Sequence, residues 1–279
     1  MLEINKIHQG DCLTLMKEIS NESVDLIISD PPYKTTARGH AGNSGGMLQK
    51  EINKKGMVFN HNTILPEDYA RYLFNRLKES GHCYIMTNHV NLINMLNQFT
   101  SVGFHFIKSL IWDKGNKIMG QYYMSQFEYI LFFRKGKGKK INECGTADLL
   151  SIPNKKTKGE DGKNIHDTEK PVKLMEVLIK NSSNEGDLVL DPFMGSGTTV
   201  LACMNLRRRF IGMELDEIYY KIAEKRLDKA KLEILNTSIV DEDNVEFIEK
   251  NKEVLKQNIA TDDGIPPKPK DLGILPKII

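Results

Sequence analysis

The sequence predicts an α/β fold: one doubly wound, mostly parallel sheet with helices on both faces. Three observations carry this. Short apolar runs alternate with segments of helical apolar spacing along most of the chain. Residues 24–29 (Val-Asp-Leu-Ile-Ile-Ser) form a nearly continuous apolar run, as expected of a strand covered on both sides. A glycine turn, Gly195-Ser196-Gly197, sits between an apolar run and a helical segment, where open α/β sheets bind ligands.

The elements follow in order. Lys6-Ile7-His8 is a short strand ending at Gly10-Asp11, and Asp11 or Thr14 supplies an oxygen to start a helix running to Ile19. The strand at 24–29 stops at Asp30-Pro31-Pro32-Tyr33, where two prolines end ladder bonding. Residues 34–65 carry no periodicity and form a loop too long for a passive connector. A helix is expected over 66–78, a strand at 83–86, a helix over 92–99, and strands at 104–112 and 129–133. Trp112 is read as packing in the sheet, with Asp113 and Lys114 at the strand end. A helix over 171–180, a strand at 187–191, a helix opening at Gly197-Thr198-Thr199, a strand at 210–214 and a helix over 216–231 complete the alternation. Residues 1–232 are thus read as the catalytic domain and 233–279 as an extension, helical near 245–255 and then an extended tail.

Composition removes other classes. The 279 residues can bury a core without staples, and no run approaches the length of a membrane span. The N-terminal residues show no secretory signal, so a cytoplasmic location is expected. Four cysteines, Cys12, Cys83, Cys144 and Cys203, lie far apart without a Cys-x-x-Cys pair. They are read as buried small apolar residues, and no metal site is expected. The net charge of +2 hides a basic middle: residues 134–165 hold nine Lys/Arg against four Asp/Glu.

Asp191-Pro192-Phe193-Met194-Gly195-Ser196-Gly197-Thr198-Thr199 is the first chemical motif. Its glycines open backbone conformations closed to other residues, and the helix start offers unpaired N–H groups. Glu214 closes the next strand, 23 positions after Asp191, where a carboxylate can accept ribose hydroxyls. Together they describe a nucleoside-bearing cofactor. The turn lacks the third glycine of a dinucleotide site, and no Gly-Lys-Ser/Thr follows for a P-loop, which leaves S-adenosylmethionine. Asp30-Pro31-Pro32-Tyr33 is the second and more specific motif. A carboxylate and a proline carbonyl can accept both N–H groups of an exocyclic amine and turn its lone pair toward an electrophile. Tyr33 offers a ring on which a base can stack.

These two motifs, over roughly residues 5–232, resemble the β group of amino-methylating DNA methyltransferases, whose catalytic tetrapeptide precedes the cofactor loop. The resemblance implies a Rossmann-like methyltransferase sheet and S-adenosylmethionine as cofactor. It also implies that Asp30 and Pro31 hold the target amine, Pro32 shapes the turn and Tyr33 stacks on a flipped base. Phe193, Gly195, Ser196 and Thr198 would contact the methionine portion, Glu214 the ribose, and Asp11 and Cys12 the cofactor adenine; Asp30, Asp191 and Gly197 complete that set. His166-Asp167-Thr168-Glu169-Lys170-Pro171 resembles the family's His-Pro-Thr-Gln-Lys-Pro element, and only His166 and Lys170 carry over. A tetrapeptide beginning with Asp is typical of adenine-N6 enzymes, and cytosine-N4 enzymes usually begin it with Ser.

The resemblance also places target recognition after the strand at 129–133, hence in 134–165, with Arg134, Lys135, Lys137, Lys139 and Lys140 expected on DNA phosphates. The 34–65 loop shares this work as a flexible element. DNA is the expected partner, either duplex with its target base flipped or single-stranded. Homodimers are common in the family, and a restriction endonuclease is the natural companion of such an enzyme. The reading is therefore a site-specific DNA adenine-N6 methyltransferase. Its alternatives are cytosine-N4 transfer and a nucleic-acid-binding protein that keeps the cofactor fold without catalysis.

Overall fold

The computed structural model describes residues 2–32, 64–118, 123–155, 157–158, 169–237, 252 and 255–256. Among the described residues, eight strands form one sheet: β1 (Lys6–Gln9), β2 (Val24–Ser29), β3 (Leu77–Thr87), β4 (His105–Ile118), β5 (Ser125–Arg134), β6 (Leu149–Ser151), β7 (Leu188–Asp191) and β8 (Arg209–Glu214). Their order is β1-β8-β7-β2-β3-β5-β4-β6. Every neighbouring pair is parallel except the two that β5 makes, so β5 alone runs against the rest. The α-helices among the described residues are α1 (Cys12–Leu15), continued by a 3-10 turn at Met16–Glu18, α2 (Pro66–Arg76), α3 (Leu92–Ser101), α4 (Val172–Ser182), α5 (Thr198–Asn205) and α6 (Glu217–Thr237).

Period-two alternation builds two cores, one on each face. Ile27, Cys83, Ile85, Leu131, Phe133, Leu188 and Leu190 pack under α1, α2 and α3. Leu26, Ile28, Tyr84, Met86, Ile130, Phe132 and Val189 pack under α4, α5 and α6. This double cover is why β2 reads as an unbroken apolar run. Local signals set the helix starts: Asp11 caps α1 by accepting from the Leu13 N–H at 3.1 Å. Pro66 opens α2, whose Asp68 carboxylate takes the Leu65 N–H at 2.8 Å. Among the described residues, no helix is long and apolar enough to cross a membrane.

Several expectations are corrected. Helix α2 ends at Arg76, not 78, and β3 begins directly at Leu77, six residues before the predicted strand. Strand β4 runs on to Ile118 and β5 starts at Ser125, because the two form a long antiparallel pair that the apolar runs show only in part. β6 was not expected; its three residues are too few for a periodic signal. Cys144 is exposed, while Cys12, Cys83 and Cys203 are buried. The loop at 34–65 lies almost wholly outside the described residues, as does most of 233–279; Leu255 within the latter is buried.

The antiparallel direction of β5 also decides where the basic stretch goes. Ile130 pairs with Met86, and four residues later Arg134 pairs with His82 and His105. The chain thus leaves β5 roughly 13 Å back from the level of Asp30 and heading away from it. There the His82 ring meets the Lys139 carbonyl at 3.2 Å, and burial pulls the pKa of His82 down to about 4. Asn142 Nδ2 donates to the Lys180 and Ser183 carbonyls, pinning the loop to the end of α4. Lys137, Lys139 and Lys140 are exposed at that far edge and Arg134 is half-buried. Lys135 is a clear correction. Its buried ammonium donates to the Phe74 and Leu77 carbonyls at 2.9 and 2.8 Å, over the Phe74 ring and beside Glu22. It closes the end of α2 and is not open to phosphate.

Replacing Lys135 by Met should therefore lower unfolding free energy by about 1–3 kcal/mol, because two buried carbonyls lose their donor. Urea unfolding reads this, and stability equal to the native protein would contradict the assignment.

Candidate active site

Five neighbouring parallel strands end on one edge of the sheet, and the chemistry gathers there. Asp30 follows β2, Asp191 ends β7, Glu214 ends β8 and Gly10-Asp11 follows β1. Chain order reverses between β2 and β7: β3 lies on one side of the pair and β8 on the other. Such a switch point leaves a crevice at the strand ends.

The glycine turn is fixed from two sides. Gly195 and Gly197 have φ of 54° and 83°, left-handed values that favour glycine. A β-carbon on Gly197 would stand 3.1 Å from that of Ala223 on α6. Glu214 clasps the turn: its Oε2 accepts from the Gly195 N–H at 2.9 Å, and its Oε1 accepts from the Asp216 N–H at 2.8 Å. Each oxygen retains a lone pair for a ligand hydroxyl. On the other side, Arg226 of α6 donates to the Ser196 carbonyl at 2.6 Å and its hydroxyl at 2.9 Å. Arg226 is itself held by buried Glu169 at 2.8 Å. Arg226 gave no sequence signal beyond one more charge in a charged helix. Thr198 is buried at the start of α5.

Asp11 and Cys12 stand beside this turn, since Gln9 pairs with Glu214 and Gly10 N–H donates to the Glu214 carbonyl at 2.9 Å. Burial, with help from the Asp11 charge, pushes the Cys12 thiol up to about 12, so it is a neutral wall. Phe193 meets Tyr69 edge-on with ring centroids 5.1 Å apart, which orients it. Burial also pushes the Asp191 carboxyl up to about 7, against hydrogen bonds from the Thr199 hydroxyl and the Phe193 N–H; the Asp30 and Glu214 charges add to the rise. Asp191 Oδ1 takes that Phe193 N–H at 3.1 Å, so it braces the turn from below.

Asp30 belongs to the second pocket. One carboxylate oxygen, Oδ2, is ion-paired with the Lys170 ammonium. The other, Oδ1, is buried and has no hydrogen-bond partner among the described residues. Burial pushes its pKa up, and Lys170 pulls the other way. A buried acceptor left open is costly unless a ligand fills it. Pro31 is buried and Pro32, next to it, has no N–H to compete. Lys170, expected at the cofactor, is thus placed on Asp30 and also lies 3.4 Å from Glu128 of β5. Glu128 was missed; a carboxylate inside Phe127-Glu128-Tyr129-Ile130-Leu131 was the available signal. Tyr33 and His166 lie outside the described residues.

The second half of the basic insert does approach this edge. β6 returns beside β4, and the Thr157 N–H and hydroxyl reach the Glu169 carboxylate at 2.7 and 2.9 Å. Among the described residues no cluster of three His, Cys, Asp or Glu side chains could hold a metal ion. The open glycine turn, the half-used Glu214 oxygens and the orphaned Asp30 Oδ1 fit a nucleoside-bearing cofactor facing a hydrogen-bond donor.

The comparisons agree with this arrangement. The family model for DNA methylases, N6_N4_Mtase, matches residues 24–225. The type II methyltransferase M.HinfI of Haemophilus influenzae is 30% identical over 249 residues, covering 82% of this chain and 69% of that protein. M2.DpnII of Streptococcus pneumoniae is 31% identical over 242 residues, covering 78% and 88%. The crystal structure of the M1.HpyAVI–SAM complex is 28% identical with a TM-score of 0.58, over 79% of this chain and 98% of that one. The cytosine-N4-specific PvuII DNA methyltransferase, 19% identical, shares the fold with a TM-score of 0.63, over 91% and 92%.

The Asp191 carboxyl titrates higher in the folded than in the unfolded chain, so the folded state binds the extra proton between about pH 4 and 7. Stability from this group is present at the acid end and is lost as pH rises through about 7. Asp191→Asn should remove that slope; urea unfolding across this window measures it, and identical slopes in both proteins would contradict the assignment.

Proposed function

This chain belongs to the DNA methylase family whose model spans residues 24–225, and on that premise we propose that it transfers a methyl group from S-adenosylmethionine to the N6 of adenine in DNA. The observation that carries the reading is Asp30: one oxygen is tied to Lys170 and the other is open among the described residues, at the strand edge where β2 and the glycine turn's β7 end side by side.

When bound, S-adenosylmethionine supplies an electrophilic methyl carbon on a sulfonium. Phe193, Gly195, Ser196, Gly197 and Thr198, braced by Asp191, would hold its methionine end, Glu214 would take its ribose, and Asp11 and Cys12 would border its adenine. Asp30 Oδ1 accepts one N–H of the target amine and the Pro31 carbonyl accepts the other. The nitrogen lone pair, otherwise delocalised into the ring, is thereby freed to point out of the ring toward the bound cofactor. This nitrogen would take up the methyl group, leaving the cofactor as the thioether, and the proton lost from the nitrogen would pass to water. Positioning and electrostatics do most of the work, with no covalent bond to the protein. A base inside a duplex cannot reach this crevice, so the target is flipped or single-stranded, with Tyr33 stacked against it.

The Asp at the head of the tetrapeptide supports adenine over cytosine. Nucleoside analysis of DNA incubated with the protein and labelled cofactor tests this: N6-methyladenine is expected, and methylcytosine alone would overturn the choice of base. Asp30→Asn, which keeps the shape of the side chain, should slow transfer by about 100-fold or more while the protein remains folded.

A further inference from the structure

Behind Asp30 lies a line of buried charge that reaches across the sheet. Lys170 sits between two carboxylates, Asp30 and Glu128. Glu128 Oε1 accepts from the Lys114 ammonium of β4 at 3.0 Å. The Lys114 and Lys170 side chains are each only 7% exposed, so neither is a surface pair relaxed by water. Two negative and two positive groups alternate, and the set is neutral. Trp112 lies under both ammoniums, with Nζ of Lys114 and of Lys170 at 5.9 and 6.0 Å from its ring centre. Its own Nε1 donates to the Ile152 carbonyl at 2.8 Å, which fixes the ring. Glu128 stands opposite Trp112 in the β4–β5 ladder, so the long antiparallel pair sets the position of every member except Lys170 and Asp30.

Such a chain is costly to bury for stability alone, since an apolar set of equal volume packs as well or better. Its geometry has a use. An ammonium facing Asp30 alone would be free to swing between the two oxygens or to bridge them. Glu128 draws Lys170 to one side, and Lys114 holds Glu128 there. Resting on the proposed function, we propose that Glu128 and Lys114 are positioning residues for the methyl transfer: through Lys170 they commit Asp30 Oδ2 and keep Oδ1 open for the substrate amine.

Among the described residues, the charged and titratable groups that face Asp30 are Lys170 ahead of α4, Glu128 of β5, Lys114 of β4, Asp191 of β7 and Tyr69 of α2. The Glu128 charge disfavours ionisation of Asp30 and the Lys114 charge favours it. Neutralising each therefore moves Asp30 in opposite directions, which loss of packing would not do.

The test uses the full chain labelled with carbon-13 at the aspartate side-chain carboxyls, with the Asp30 signal identified by its loss in Asp30→Asn. The titration midpoint of Asp30 should fall by about one pH unit in Glu128→Gln and rise by a similar amount in Lys114→Met. Lys114→Arg, which keeps the charge, should stay near the native midpoint and separates charge from misfolding. Single-turnover methyl transfer to DNA should drop about tenfold or more in Glu128→Gln and Lys114→Met. Midpoints that stay put or move in the same direction overturn the coupling; opposed shifts with transfer rates within twofold of native overturn the positioning role. Should the native protein transfer no methyl group to DNA, the proposed function fails, and the titration alone decides whether these two residues hold Asp30.

Discussion

The pairing of the Asp30 carboxylate with the Lys170 ammonium is the constraint on which the site depends. β2 is covered on both faces, so the residue that ends it emerges from a dry core. A charge placed there needs an opposite charge, because desolvation costs several kcal/mol per ion and an unpaired ion is far worse than a paired one. Lys170 meets that need on one oxygen only. The other has no partner among the described residues and stands as a strong acceptor in buried surroundings, where a hydrogen bond to a donor is worth more than it would be in water. The same burial that threatens the fold thus makes the group useful.

The second pocket follows a parallel logic with a different partner. Glu214 is also a half-buried carboxylate at a strand end, yet among the described residues no cation answers it. Backbone N–H groups of Gly195 and Asp216 do so instead, and one of them belongs to the turn that faces the ligand. Bracing the turn and presenting acceptors are therefore one act. Arg226 and Glu169 secure the turn from behind, which explains why a carboxylate at 169 is accommodated: its charge is matched by a guanidinium and by the Thr157 N–H and hydroxyl. β2 and β7 are adjacent and parallel, so Asp30 and the glycine turn that follows β7 lie side by side at one edge of the sheet.

Much of this was legible in the residues. The strand at 24–29, the glycine turn, and Glu214 at the end of the following strand all carry local signals, because the physics behind them is local: chain direction, backbone freedom and period-two burial. The basic stretch is read through the family resemblance, which puts Arg134, Lys135, Lys137, Lys139 and Lys140 on DNA phosphates; β5 runs antiparallel and carries them away from the level of Asp30, a direction that charge density does not encode. Lys135 is buried under α2 for a reason that involves Phe74 and Leu77, some sixty residues earlier. Glu128 and Lys114 passed as ordinary charges near strand ends, since nothing in their neighbourhood along the chain names their partners.

The sequence by itself determined the kind of sheet, the two motifs at its edge and the chemistry they can perform, because each is written in contiguous residues whose spacing limits their conformation. Only the tertiary structure decided which cation meets Asp30, which oxygen stays open, and on which edge the lysines fall. Those outcomes rest on contacts between segments up to 140 positions apart, brought together by strand order and by the direction of a single strand, and no local pattern encodes either.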